Sequence, residues 1–341
     1  MILDRNTMTN LHYSIIIPVY NRPEEVEELL ESLSQSSFSA PFEVIIVEDG
    51  SDIPCELIVD RFRSKLDISY YYKKNSGPGA SRNHGMEKAK GNYFIIFDSD
   101  CIIPTQYLTA VNTELHKEFC HCFGGADRAL DSFSDVQKAI NFAMTSFLTT
   151  GGIRGGSEKL NKFQPRSFNM GISKEAFKLS GGFGKIHPGE DPDLTMRLWE
   201  LGLDTRLFPK AFVYHKRRID WKKFSVQVSK FGKVRPILNS WFPKYNKLTY
   251  FFPTIFILGF YFSLFLVLLG TFWPASLYIL YFVMILLFAT AETKSLKIGS
   301  YSVLAVFKQM QGYGFGFLKS YWNIIILKKN PKEVFPKLFF K

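Results

Sequence analysis

Four cysteines among 341 residues are too few for a disulfide framework. Cys120-His121-Cys122 also lacks the second ligand pair that a structural zinc site needs. With 24 glycines, 16 prolines and 46% hydrophobic residues, the chain is neither collagen-like nor disordered. Its length suits one large domain or two smaller ones with a substantial core. The stretch from Met1 to Asn10 has no apolar run, so no cleaved signal peptide is expected and the expected setting is reducing. No G-x-G-x-x-G follows the first apolar run, which argues against a dinucleotide-dependent dehydrogenase. The glycine-rich stretch at 76–83 lacks G-K-[ST] and is no Walker loop.

The largest absence is of charge. From Leu248 to Ala291, 44 residues pass without one Asp, Glu, Lys or Arg. The preceding stretch, 206–247, holds 12 basic residues against one acid, Asp220, while residues 1–205 are net acidic. An acidic front and a basic rear argue against nucleic acid as a partner. The uncharged stretch divides at Trp273-Pro274 into about 250–272 and 275–291, long enough for two spans of a bilayer, the second rather short. Lys222, Lys223, Lys230, Lys233, Arg235, Lys244 and Lys247 stand on one flank, and Lys294 and Lys297 on the other. The positive-inside rule puts both flanks in the cytoplasm and the uncharged turn outside. Residues 221–247 interleave cations with Trp221, Phe224, Phe231, Trp241, Phe242 and Tyr245, the pattern of a segment lying on an anionic leaflet. Ser302 to Leu327 is apolar but carries Lys308, Gln309, Gln311 and Lys319, so it is expected to lie at the interface or re-enter, with a third span as the other possibility.

Short apolar runs alternate with amphipathic stretches through the first 125 residues. Tyr13–Pro18, Glu43–Glu48, Ile68–Tyr72 and Tyr93–Asp98 read as buried parallel strands. Pro23–Ser34, Cys55–Ser64 and Gly79–Ala89 read as the crossover helices. The order predicts an α/β doubly wound, mostly parallel, Rossmann-like sheet, with its ligand site at the carboxyl ends of the strands. Polar residues collect there. Asp98-Ser99-Asp100 closes a very apolar strand and either holds a hard divalent cation or caps the turn. Asp49 either accepts hydrogen bonds from a base or ribose or forms an Asx turn before Gly50. Ser76–Asn83 leads into a helix in a way that suits phosphate approach, with Arg82 placed for a charge-assisted contact. Glu190, Asp191 and Asp193 open a helix over Pro192–Leu201, where the dipole alone favours acids. The glycine-rich stretch Thr149–Ser157 reads either as a loop closing over substrate or as plain surface.

The motifs S-I-I-I-P-V-Y-N-R (14–22), V-E-D-G-S (47–51), G-P-G-A-S-R-N-H-G (77–85) and G-N-Y-F-I-I-F-D-S-D (91–100) resemble those of the family 2 glycosyltransferases. F-N-M-G-I-S (168–173), G-G-F (181–183), G-E-D-P-D-L-T-M-R (189–197) and V-Y-H (213–215) continue the resemblance, to the membrane-anchored bacterial form with the GT-A fold. It implies a catalytic domain over 1–220, a basic-aromatic segment at 221–247, two transmembrane helices within 248–291 and an amphipathic or re-entrant helix with a basic tail at 292–341. It further implies that Pro18, Tyr20 and Arg22 line a nucleotide pocket, that Glu48 or Asp49 reads the base, and that Arg82 and Asp98 approach the nucleotide. Asp100 would be the principal ligand of a divalent cation, Mg²⁺ or Mn²⁺, with His215 completing that site or touching the diphosphate. Asp191 matches the general base, while Asn169 and Glu190 stand where donor or acceptor is met. The expected activity is inverting transfer from a nucleoside diphosphate sugar, UDP-linked by family frequency, to a lipid-linked or other membrane acceptor. The expected setting is the bacterial inner membrane, multi-pass, with the catalytic domain in the cytoplasm. A polyprenyl-phosphate acceptor and a non-catalytic nucleotide-binding scaffold are the alternatives. The Q-x-x-R-W signature of processive synthases is absent.

Overall fold

A computed structural model describes residues 10–128, 130, 132–150, 163–215 and 220–340. The expectations for the N-terminal segment up to Thr9 and for the Gly151–Ser157 part of the glycine-rich stretch lie outside them. The chain divides into two units. One comprises Met1–Arg128, Gly156–His215 and Phe340–Lys341; the other comprises Ala129–Gly155 and Lys216–Phe339.

The first unit is organised by strands apolar enough to be buried on both faces. These are β1 (Tyr13–Val19), β2 (Phe42–Asp49), β3 (Asp67–Lys73) and β4 (Tyr93–Phe97), joined later in the chain by β5 (Cys101–Ile102), β6 (Cys122–Arg128), β7 (Asn169–Ser173) and β8 (Thr205–His215). Helices α1 (Pro23–Ser34), α2 (Glu56–Phe62), α3 (Pro78–Lys88) and α4 (Tyr107–Lys117) occupy the crossovers. Alternate residues of each strand face opposite layers. Ile15, Ile17, Val44, Ile46 and Ile95 pack with Val26, Leu29 and Leu30 of α1 and Val111 of α4. Ile16, Ile45, Val47, Phe94 and Ile96 pack on the other side with Met86 of α3. Each fully buried Ile or Val contributes roughly 1.5–3 kcal/mol, so this alternation fixes the register.

The order is β3-β2-β1-β4-β7-β6-β8-β5. The four sequence-predicted strands are parallel, with β1 between β2 and β4. Beyond β4 the sheet is mixed: β7 runs antiparallel to both β4 and β6, and β5 antiparallel to β8. This half escapes sequence reading because its strands lack a continuous apolar run: β6 and β8 are interrupted by glycine, proline or charged residues, and β5 has only two residues. At its centre Gly171 lies under the Phe123 ring, which stacks on Phe208 at 4.4 Å. A Cβ at Gly171 would come 2.0 Å from that ring.

In the second unit α5 (Asp135–Thr145), which follows a Ser134–Gln137 capping box, and α6 (Phe147–Thr150) precede the gap in description. Two helices of the first unit, α7 (Lys174–Ser180) and α8 (Glu190–Glu200), follow in the chain. The second unit then continues with α9 (Trp221–Trp241), α10 (Phe252–Leu268), α11 (Trp273–Thr293) and α12 (Leu296–Ser320). The segments Leu248–Leu268 and Trp273–Thr293 are each long and apolar enough to cross a membrane. Side chains such as Ile255, Phe262, Leu277 and Leu287 on them are exposed, a surface that suits an apolar solvent. Most of the stretch expected at the interface, 302–320, belongs to α12, which is the hub of the unit. Ala305, Val306 and Met310 are fully buried and pack with Ile140 of α5, Phe224 and Val228 of α9, and Ile285 of α11. Its polar residues mask this role in the sequence.

Replacing Gly171 by Ala forces Phe123 out of its stack and is expected to cost about 1–3 kcal/mol, read as a lowered midpoint in denaturant unfolding.

Candidate active site

The carboxyl ends of β1, β2 and β4 converge on one edge of the first unit, as the parallel topology requires. Asn21, just after β1, has the left-handed φ of 52° that asparagine tolerates. Its side-chain Oδ1 accepts the N–H groups of Asp52 and Ile53 at 2.8 and 3.2 Å, and its backbone N–H donates to Ser51 Oγ at 2.7 Å. The β1 and β2 loops are thereby fastened together. Asp49 fastens a third loop: its carboxylate accepts the Ser76 and Gly77 N–H groups, both at 2.9 Å, and pairs with Lys73. This sets the entry into α3, which begins at Pro78.

One turn into α3 stands Arg82, 3% exposed. Its Nη2 donates to Asp98 Oδ1 at 2.7 Å and its Nη1 to Glu190 Oε1 at 3.2 Å. The guanidinium also lies 5.2 Å from the Phe183 ring. Burial opposes its charge, but Asp98, Glu190 and Asp191 hold it firmly protonated. Glu190 is buried too, which alone would raise its pKa. The bond from His187 Nδ1 at 2.9 Å and the charges of His187 and Arg82 instead bring it down to about 2.

Asp191 has the opposite fate. Burial, and next the charge of Glu190, push it up to about 7, against the smaller opposing effects of Arg82 and the Ser167 N–H. Its Oδ1 is buried without a hydrogen-bond partner. Two adjacent carboxylates thus differ: one is locked as an anion, the other poised to gain or lose a proton near neutrality.

A third group forms where β5 pairs with β8. The Cys101↔His215 register brings His215 Nε2 to 3.3 Å from Asp100 Oδ1. The imidazole stacks on Phe168 at 4.4 Å, and its Nδ1 is buried without a partner. Ligand atoms of Asp100, Cys101 and His215 lie within 4.8 Å of one another. Burial, reinforced by the Asp100 and Asp98 charges, pushes the Cys101 thiol well above its ordinary value. The sulfur is therefore a poor ligand for a hard cation, whereas the Asp100–His215 pair fits one.

The expected site residues fall into two sets. Asp98, Arg82, Glu190 and Asp191 are brought together, and Asp100 joins His215. Pro18, Tyr20 and Arg22 lie on the β1 loop, Tyr20 half exposed and Arg22 paired with Glu25. Glu48 does not face an opening: fully buried, it holds Ser51, the Cys55 N–H at 2.8 Å and the Tyr70 hydroxyl. Arg82 is likewise an internal bridge, since two carboxylates within 3.2 Å hold its terminal nitrogens. Asn169 is engaged internally: its Oδ1 accepts from the Tyr107 hydroxyl and its Nδ2 donates to the carbonyls of Ala126 and Ala211, at 3.0 and 2.9 Å. Sequence reading passed over His187 and Phe340 and gave Asn21, one of the polar residues at the strand ends, no role. Asn21 sits within a quoted motif and His187 just before one, but only the fold shows their partners. Phe340 donates its N–H to Lys185 O at 3.0 Å, and its ring lies 5.7 Å from that of His187.

Two family models match the chain: "Glycosyl transferase family 2" over residues 14–179 and "Glycosyl transferase family group 2" over 158–291. The poly(ribitol-phosphate) beta-N-acetylglucosaminyltransferase TarS of Staphylococcus aureus is 35% identical over 101 residues, 29% of this chain and 18% of TarS. The chondroitin synthase of Pasteurella multocida is 35% identical over 241 residues, 61% of this chain and 25% of that protein. The chain thus spans a quarter or less of either relative. Among solved structures, the mannosyltransferase PcManGT of Pyrobaculum calidifontis, in complex with GDP-Man and Mn²⁺, superposes with a TM-score of 0.63 at 14% identity, over 93% of this chain and 89% of that one. Residues 1–349 of TarS give 0.52 at 19% identity, over 92% of each chain. These likenesses establish the fold.

Removing the bridge by Arg82→Met leaves Asp98 without its partner and the deeply buried Glu190 with His187 alone. A loss of about 3–5 kcal/mol is expected, measurable by denaturant unfolding, and the Arg82→Lys variant should recover part of it.

Proposed function

The chain belongs to glycosyltransferase family 2 and has the GT-A fold, and we propose that it is an inverting, cation-dependent member of that family. It would move one sugar from a nucleoside diphosphate donor to a hydroxyl of a membrane-associated, lipid-linked acceptor. The observation carrying this reading is Asp191: a buried carboxylate with an unpartnered oxygen and a pKa pushed up to about 7, beside groups that are all committed to one another. Such a group can take a proton from an attacking hydroxyl. Glu190, tied to Arg82 and His187, is not free to serve as a nucleophile, so one displacement with inversion follows.

The donor end of the site is acidic. Asp98 and Asp100 would repel a diphosphate, so binding the donor requires an intervening cation. Asp100 and His215 would hold that divalent ion, which when bound supplies charge neutralisation for the leaving diphosphate. Asp98, held by Arg82, is positioned for the ribose or the cation. A UDP-linked donor is favoured because TarS, similar in sequence, has been solved with UDP-GlcNAc. The two apolar helices, flanked by basic residues, would hold the enzyme in a bacterial cytoplasmic membrane with those flanks on the cytoplasmic side. Membrane attachment would keep the acceptor at high effective concentration.

Detergent-solubilised protein supplied with UDP- or GDP-sugars, Mn²⁺ or Mg²⁺ and membrane lipid extract is expected to release nucleoside diphosphate. Asp100→Ala should remove all cation-stimulated release; a variant equally active in chelator would overturn the ligand assignment. Turnover should rise with pH through an apparent pKa near 7, because the base works unprotonated. Asp191→Asn should abolish that limb and lower turnover about 10²–10⁴-fold, measured as initial rates across pH.

A further inference from the structure

The helices α9 and α12 touch backbone to backbone. A Cβ at Gly316 would lie 2.4 Å from Ser229 O and 3.3 Å from Lys233 N, and one at Gly232 would lie 2.2 Å from Tyr313 O. The helices therefore run side by side with residues 228–233 against 312–317. This alignment gathers Lys230 and Lys233 of α9 with Lys319, just under one turn beyond Gly316. Their closeness registers in Lys233, whose pKa is lowered by partial burial and then by the charges of Lys319 and Lys230.

Among the described residues no carboxylate pairs with any of the three. Among the described residues the acids of this unit are engaged elsewhere or distant: Asp220 caps α9 and pairs with Lys223, Asp135 pairs with Lys297, Glu333 accepts from Asn330, and Glu292, at the end of α11, adjoins the start of α12 rather than the end that carries Lys319. Beside Lys319, Ser320 is fully buried and its hydroxyl has no partner. Three like charges held together without a counter-ion repel one another, and a bound anion relieves this.

The depth of the cluster says what kind of anion. Gly314 abuts Pro253, at the start of the first apolar helix: Thr254 Oγ1 donates to Gly314 O at 3.1 Å. Lys319 lies five residues further along α12, on the order of 7–8 Å. Between them Phe251 packs on Phe317 at 4.8 Å and on Tyr321 at 5.3 Å. Aromatic rings and lysines at the mouth of an apolar helix mark headgroup level in a bilayer. We propose that Lys230, Lys233 and Lys319 form a binding site for the phosphate of an anionic lipid headgroup. The site rests on the membrane reading of the apolar helices and is independent of turnover.

The full chain, in non-ionic detergent, is titrated with dioctanoyl phosphatidic acid and followed by tryptophan fluorescence, since Trp322 is three residues from Lys319. K230Q/K233Q/K319Q is expected to weaken binding by at least about tenfold, and the exposed Lys319→Gln alone by about fivefold. K328Q/K329Q/K332Q, with the same change of charge at exposed lysines of the same unit, should stay within about twofold of the parent. Dioctanoyl phosphatidylcholine should bind far more weakly than phosphatidic acid, and inorganic phosphate should not compete. Equal losses in the two triple variants, an unaffected Lys319→Gln, or indifference to headgroup would overturn the site. Competition by inorganic phosphate would assign the lysines to a free anion and overturn the lipid. A chain that is monodisperse without detergent would instead remove the membrane reading beneath it.

Discussion

One buried guanidinium organises the first unit. Arg82 comes from a helix whose start is fixed by Asp49, and it ties the end of the central strand to the first turn of α8. Without that cation, Asp98, Glu190 and Asp191 would repel one another in a poorly solvated space. With it, Glu190 stays charged, and that charge helps keep the neighbouring Asp191 protonatable near neutral pH. Positioning and acid–base tuning thus share a single cause. Phe183, against the face of the guanidinium, and His187, on the far side of Glu190, complete its cage.

Much of this was legible in the sequence. The strands from Tyr13 to Phe97 were readable because burial on both faces demands uninterrupted apolar runs, and α1 because a proline and two glutamates open it. Asp98, Asp100, Asp191 and His215 stood out as polar residues at the ends of such runs or in ordered motifs. What sequence could not convey was which polar group meets which. Arg82, on a glycine-rich approach to a helix, suggested a phosphate partner; the fold supplies two carboxylates instead. Asn169 lay in a motif beside the site, yet its amide is consumed by the carbonyls of Ala126 and Ala211. A solvated position and a buried cross-link look alike until distant strands are brought together.

The second unit shows the same limit in apolar terms. Composition marks α10 and α11 plainly, because lipid-compatible surfaces exclude charge over their whole length. It does not reveal how α12 packs, since its lysines and glutamines read only as an interfacial or re-entrant helix. Small residues on that helix instead let neighbouring backbones approach to contact distance, and Ala305, Val306 and Met310 disappear into the interior.

The pairing of β5 with β8 has a consequence for how the protein is made. The two candidate cation ligands, Asp100 and His215, lie more than a hundred residues apart in the chain and meet only through a two-residue strand at the sheet edge. Closing so long a loop is a costly and slow event. A nascent or half-folded chain therefore carries Asp98 and Asp100 but not the imidazole beside them. A cation site built from these two residues would be complete only when the sheet is, so loading it would report that the last edge has closed.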